Sequence, residues 1–212
     1  MLSKTFNIFA ILLLMQSCST ASKDGYYKGY EIPSYKVVKQ IDEVEFRTYQ
    51  ASLVAEVLVE GDRSEAAKKG FRILARYIFG NNISSENVSM TSPVVQQQAS
   101  QKISMTTPVT QISQNDEKWL VRFGMPKSYK IGDLPKAINR NISFKTLPAK
   151  KMVALRFSGS WSDSKINLQK EKLAMFVSKQ GLKIKGEAQI AYYDDPFTFP
   201  WNRRNEILWE IE

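Results

Sequence analysis

The chain has 212 residues, 43% of them hydrophobic, enough for one domain with a sizeable core or for two small fused halves, and its composition does not suggest disorder. Thirty Lys and Arg against 21 Asp and Glu give a formal net charge of +9, which favours anionic partners such as lipid headgroups or carboxylated small molecules. There is no histidine, so Ser-His-Asp and Cys-His nucleophile systems and every histidine-ligated metal are excluded.

Residues 1–17 read as a processing segment, with a basic residue at Lys4 and an apolar run from Phe6 to Met15 that is too short to span a bilayer. The stretch Leu14-Met15-Gln16-Ser17-Cys18 resembles a bacterial lipoprotein cleavage box, although Met15 stands where leucine is commoner. That resemblance implies cleavage before Cys18 and acylation of its sulfur and amine. Cys18 is the only cysteine, so it has no internal disulfide partner, and an exported protein has little reason to keep a free thiol. Ser19, in place of aspartate, resembles the signal for the outer membrane, which implies a cell-envelope lipoprotein facing the periplasm. Removing residues 1–17 takes away Lys4 and no acid, leaving a mature charge of +8. Residues 18–34 then form a tether, polar and small-residue-rich from Ser19 to Lys28, and residues 35–212 form the folded domain.

The domain repeats itself. Val44-Glu-Phe-Arg-Thr-Tyr-Gln-Ala aligns without a gap on Ile142-Ser-Phe-Lys-Thr-Leu-Pro-Ala, and the match continues to Gly61 and Gly159 with apolar residues at the same parity. This predicts a strand pair in each of two related halves, about 35–126 and 137–212, joined by a Pro- and Gly-bearing connector over 126–136. Asp62 or Ser64 can cap a helix running to about Phe79 with Gly80 beyond it, and Ser162 or Asp163 can cap a second running to about Gln180 with Gly181 beyond it. Further strands are predicted at Val88 to Val95, Ile103 to Ile112, Trp119 to Met125, Ala188 to Tyr193 and Glu206 to Ile211. Strands, helix and strands written twice imply an α+β fold, one sheet or barrel with pseudo-twofold symmetry and two helices outside it.

Five phrases occur in a restrictive order: Met90-Thr-Ser-Pro-Val94, Met105-Thr-Thr-Pro-Val109, Phe123-Gly-Met-Pro126, Tyr193-Asp-Asp-Pro-Phe197 and Arg203-Arg-Asn-Glu-Ile207. Together they make the chain resemble the SOUL heme-binding protein family from about Tyr35 to Glu212. The resemblance implies a distorted β-barrel of two pseudo-symmetric strand-helix-strand halves with two flanking helices. It also implies reversible, non-enzymatic binding of heme or another porphyrin, for scavenging, buffering or transfer. Some relatives are thought to ligate iron through histidine, which this chain lacks.

A tetrapyrrole presents an apolar face and a carboxylate-bearing edge, so its receptor needs an apolar groove rimmed by cations. The first helix offers this, with Lys68, Arg72 and Arg76 every four residues beside Phe71 and Ala75. The resemblance adds that Lys68 falls where a cation meets a propionate and Phe71 where an apolar side chain lies against the ring. Phe197 and Phe199, with Trp201, sit on a loop between prolines and can form a lid or extra wall over the groove, or plug the end of the barrel. The methionines read mainly as core filling, and Arg203, Arg204 and Glu206 as structural ion pairs. Export and the lack of a recognition motif argue against nucleic acid. Two alternatives stand beside the binder: a hydrolase or effector-binding protein for small hydrophobic molecules, with Glu56 or Glu187 as a buried acid, and a structural envelope lipoprotein with no small ligand.

Overall fold

The structure, a computed structural model, describes residues 25–84, 100–115 and 117–212. The processing segment, Cys18, the first Thr-x-Pro phrase and the strand expected at Val88 to Val95 lie outside these residues. Nine strands form one antiparallel sheet: β1 (Tyr35–Ile41), β2 (Val44–Tyr49), β3 (Ser52–Glu60), β4 (Val109–Asn115), β5 (Lys118–Gly124), β6 (Ile142–Leu147), β7 (Lys150–Phe157), β8 (Ile184–Tyr192) and β9 (Asn205–Ile211). Helix α1 (Arg63–Ile78) follows β3 and helix α2 (Asp163–Lys179) follows β7.

The order across the sheet is β6-β3-β5-β4-β8-β9-β7-β2-β1. Apart from β1 it reads the same when the two halves are exchanged, with the pseudo-axis between β4 and β8. Each half lends its first strand to the other: β2 pairs with β7, and β6 pairs with β3. The sequence offset holds in the element bounds, since β2 and β6 begin at Val44 and Ile142 and β3 and β7 begin at Ser52 and Lys150.

The helices form where their caps predict. Asp62 accepts the Glu65 N–H at 2.8 Å, and Ser162 accepts the Lys165 N–H at 3.4 Å, each satisfying a donor that the first turn leaves free. Both chains leave the helix through a glycine of positive φ, Gly80 at 110° and Gly181 at 61°. α1 buries Ala66, Gly70, Leu74, Tyr77 and Ile78, and these pack with Ala55, Val57, Val121 and Phe123 of the sheet. α2 buries Ile166, Leu173 and Val177 among Val153, Leu155, Ile190 and Ile207. Residues of the opposite parity on β7 and β9, Met152, Ala154 and Leu208, pack with Ile32, Tyr49 and Tyr193 under an N-terminal strap described from Gly25 onward. Two short strands, Tyr26–Tyr27 and Tyr30–Glu31, pair and fold that strap on itself.

Among the described residues the sheet does not close into a barrel: β6 stands at one edge and β1 at the other. β1, which the periodicity did not mark as a strand, extends the sheet beyond β2 instead of closing it. Its Lys36, Lys39 and register shift between Val37 and Lys39 are the features that discourage edge pairing. Two boundaries also move: β4 begins only at Val109, after the cis Thr107-Pro108 bond, and β8 begins earlier, at Ile184.

Under the strap lies a charged cluster. Glu206 is fully buried and accepts from both Arg47 amino groups at 2.6 and 3.0 Å, from Arg204 at 2.7 and 3.0 Å, and from the Tyr193 hydroxyl at 3.0 Å. Burial alone would push the Glu206 carboxyl up, but Arg47 and then Arg204 outweigh it and bring it down to about 2. Arg204 and Glu206 are therefore structural, as the sequence reading expected.

Candidate functional site

A groove of about 970 Å³ runs along one flank of α1. The helical repeat brings Ser64, Lys68, Phe71, Ala75 and Phe79 onto that flank, with Ala67, Arg72 and Arg76 beside them. All five residues expected on this helix, Lys68, Phe71, Arg72, Ala75 and Arg76, therefore line one groove. Phe71 is shared with the core, its ring 5.4 Å from that of Phe123. Among the described residues, no carboxylate pairs with Lys68, Arg72 or Arg76, whereas of the other cations at the groove Lys28 and Arg63 each hold one and Arg203 is engaged by backbone carbonyls.

The opposite wall comes from far away in sequence. Met105 and Thr107 enter from the segment before β4 and Val109 from its first residue, Tyr192 from the end of β8, and Lys28 and Tyr30 from the strap. The rest is the connection between β8 and β9, which contributes Asp194, Asp195, Pro196, Thr198 and Arg203. Asp194 fastens strap to loop, accepting from the Tyr27 hydroxyl at 3.1 Å, Lys28 Nζ at 2.5 Å and the Arg204 N–H at 2.6 Å. Asp195 accepts the N–H groups of Phe197 and Thr198 at 2.7 and 2.9 Å. Arg203 donates to the carbonyls of Thr198 and Pro196 at 2.8 and 2.7 Å while stacking 4.2 Å over Trp161. Arg63 and Tyr192 of the lining form a hydrogen-bonded ring with Gln111: Arg63 donates to the Tyr192 hydroxyl at 2.9 Å, that hydroxyl to Gln111 at 3.1 Å, and the Gln111 amide to the Arg63 carbonyl at 2.7 Å.

Phe197 and Phe199 do not line the groove. The chain turns here, held by Asp195, and while Pro196 and Thr198 line the groove the two phenylalanines stand in solvent. Of the residues that sequence reasoning did not place at the site, Met105, Thr107, Val109, Asp194, Asp195 and Arg203 lie within the ordered phrases noted in the sequence, whereas Lys28, Tyr30, Arg63, Trp161 and Tyr192 lie outside them. Those phrases were the available signal. Glu56 is buried but lies elsewhere, paired with Arg122 at 2.7 Å and Lys145 at 2.5 Å. Burial pushes its carboxyl up, yet Lys145 and Arg122 prevail and hold it below the usual value. Glu187 is exposed. Neither residue is an acid facing the groove. Among the described residues, no cluster of Cys, Asp and Glu is suited to a metal ion.

The profile of the SOUL heme-binding protein family matches residues 30–102 and 95–210, so between them the two segments run through nearly the whole described chain. The chain belongs to the SOUL family. No curated protein sequence matches it. Among solved structures it is similar to the C-terminal domain of EcmrR, with a TM-score of 0.57 and 13% identity over 84% of this chain and 98% of that one. It is also similar to a hydrolase from Listeria innocua, with a TM-score of 0.55 and 12% identity over 80% of this chain and 92% of that one. At such identities these likenesses establish a shared fold and nothing more. Membership in the SOUL family makes a tetrapyrrole the ligand class against which the groove is to be judged.

Proposed function

We propose that this SOUL protein is a non-enzymatic receptor that takes heme or a related porphyrin into the groove beside α1 for scavenging, buffering or transfer at the cell envelope. The observation that carries the reading is the row of unpaired cations, Lys68, Arg72 and Arg76, on the rim of an apolar groove of suitable size. A flat macrocycle would lie against Phe71, Ala75 and Met105, with its carboxylates toward the cations. Iron would receive no imidazole, because the chain has none. The nearby phenols of Tyr192 and Tyr193 are committed to Gln111 and Glu206, and burial raises both above the ordinary tyrosine value, so they stay protonated. Bound heme would supply the ring and its propionates as the recognised surface; the chain's own groups position it and exclude water.

Each 100 Å² of ring hidden contributes about 2.5 kcal/mol, against an association cost of roughly 4–15 kcal/mol. Affinity is thus moderate and indifferent to the metal. Absorbance titration of the purified chain with hemin and with metal-free protoporphyrin tests this. Saturable binding of both at micromolar concentration or tighter is expected, abolished by Lys68→Glu with Phe71→Asp. Absence of saturable binding removes the reading, and so does binding of hemin alone. The same proposal places the mature chain on the outer membrane through acylated Cys18, facing the periplasm. Cys18→Ser is expected to abolish acyl labelling and release the protein from the membrane fraction.

A further inference from the structure

Three large aromatic side chains stand in solvent on the loop that forms the groove's outer wall. Phe197 is 94% exposed, Phe199 62% and Trp201 68%, and the Phe199 and Trp201 rings stack 4.9 Å apart at 8°. A slack loop would fold such groups onto the nearest apolar surface, and the groove is immediately behind them. This loop is held instead. Asp195 fixes its first turn, Arg203 ties two of its carbonyls, and the Pro200 carbonyl accepts the Gly159 N–H at 2.9 Å. The aromatics are thereby presented outward as one rigid apolar tip.

Two further observations say what covers the tip. Tyr27 and Lys28 are bonded to Asp194, so the described chain begins against the root of the same loop. The 24 residues that precede it contain the stretch that resembles an acylation box, and Cys18 is ten residues from Lys28, a reach of at most about 35 Å. A lipid carried on Cys18 is therefore confined to the neighbourhood of the tip. The surroundings are also basic. Lys28 lies at the loop's root, Lys165 beside Gly159, and Lys68, Arg72 and Arg76 across the groove, in a chain whose net charge is +8 from Cys18 onward. The local acids, Asp194 and Asp195, are engaged by hydrogen bonds within the loop and strap.

We propose that residues 196–201 are a membrane-docking tip: Phe197, Phe199 and Trp201 enter the headgroup and acyl boundary of an anionic bilayer and seat the outer wall of the groove on the lipid surface. Aromatic side chains favour that boundary, and nearby cations add attraction to anionic headgroups. The groove then opens at the bilayer, where an apolar ligand partitions. The docking itself is independent of what the groove binds.

The test uses the full chain mixed with phosphatidylcholine and phosphatidylglycerol vesicles whose acyl chains carry bromine near the headgroup, a short-range quencher of indole. Trp119, Trp161 and Trp209 are half-buried in the fold, so Trp201 is the indole that lipid reaches first. Quenching is expected to fall at least about twofold in Trp201→Ala and in Phe197→Ser with Phe199→Ser, and to weaken when phosphatidylglycerol is omitted. Equal quenching in wild type and Trp201→Ala overturns the proposal. A blue shift of Trp201 that grows with protein concentration without vesicles assigns the tip to a second copy. One produced by hemin alone assigns it to a lid over the groove. Either result overturns membrane docking. Loss of porphyrin binding with quenching intact rejects only the groove's ligand, so the two readings fail separately.

Discussion

Gly70→Ala opposes two effects of known sign. Alanine is favoured over glycine in a helix interior by about 1 kcal/mol, so the substitution on an unencumbered helix would stabilise. Gly70, however, faces β5, and a Cβ there would lie 2.6 Å from Val121 Cβ, 2.6 Å from its Cγ2 and 3.0 Å from its Cγ1. Val121 is fully buried and paired on both sides, with Val57 of β3 and Gln111 of β4, so it has nowhere to retreat. Overpacking of this kind costs roughly 1–3 kcal/mol. The clash is severe enough to place it in the upper part of that range, leaving Gly70→Ala destabilised by about 1–2 kcal/mol. In a Val121→Ala background the obstruction is gone and the same change is expected to stabilise by up to about 1 kcal/mol. Urea unfolding of the four proteins, compared at equal slope, gives an expected coupling of roughly 2–3 kcal/mol. A neutral or stabilising Gly70→Ala in the wild-type background, or a coupling below about 0.5 kcal/mol, refutes the close seating of α1.

Removing Glu206 as alanine leaves Arg47 and Arg204 buried without a counter-charge, and a loss of about 3–5 kcal/mol is expected, read as a fall in Tm of roughly 6–20 °C. The same carboxyl sets acid stability. Its value is lowered from 4.5 unfolded to about 2 folded, so its contribution is complete above pH 4.5 and is lost as pH falls toward 2. That is about 3 kcal/mol in wild type, and the corresponding slope should be missing from Glu206→Ala over the same window in denaturant midpoints. Asp194→Ala removes the acceptor shared by strap and loop, at an expected cost of about 1–3 kcal/mol. Limited proteolysis should cut the strap faster in this variant, and unchanged cleavage would show that Asp194 does not hold it.

What the sequence revealed follows from how local each cause is. Helix ends were legible because Asp62, Ser162, Gly80 and Gly181 act within one turn of their own positions. The doubled hairpins were legible because apolar parity survives in both copies. The groove face of α1 was legible because Lys68, Phe71, Ala75 and Arg76 share a flank by helical spacing alone. The second wall depends instead on pairing between remote strands: Val109 reaches the groove because β4 pairs with β8, and Lys28 because Asp194, 166 residues later, captures it. The openness of the sheet was equally hidden, since β1 is mostly exposed and shows no two-residue alternation. The outward aim of Phe197 and Phe199 follows from the hydrogen bonds of Asp195 and Arg203, which composition does not announce.

The pseudo-symmetry also explains why a groove of this depth belongs to α1. The same contact occurs before both helices: the Gly61 N–H is accepted by the Glu117 carbonyl and the Gly159 N–H by that of Pro200. The β4–β5 turn and the β8–β9 connection thus occupy equivalent places. The first passes from Asn115 to Lys118 almost directly, whereas the second runs from Tyr193 to Arg204 and stands up as a wall facing α1. Among the described residues, the two halves therefore differ at this place by the length of a single connection, and the longer one forms a wall of the groove. The flank of α1 faces that wall, and its unpaired cations lie along the same groove.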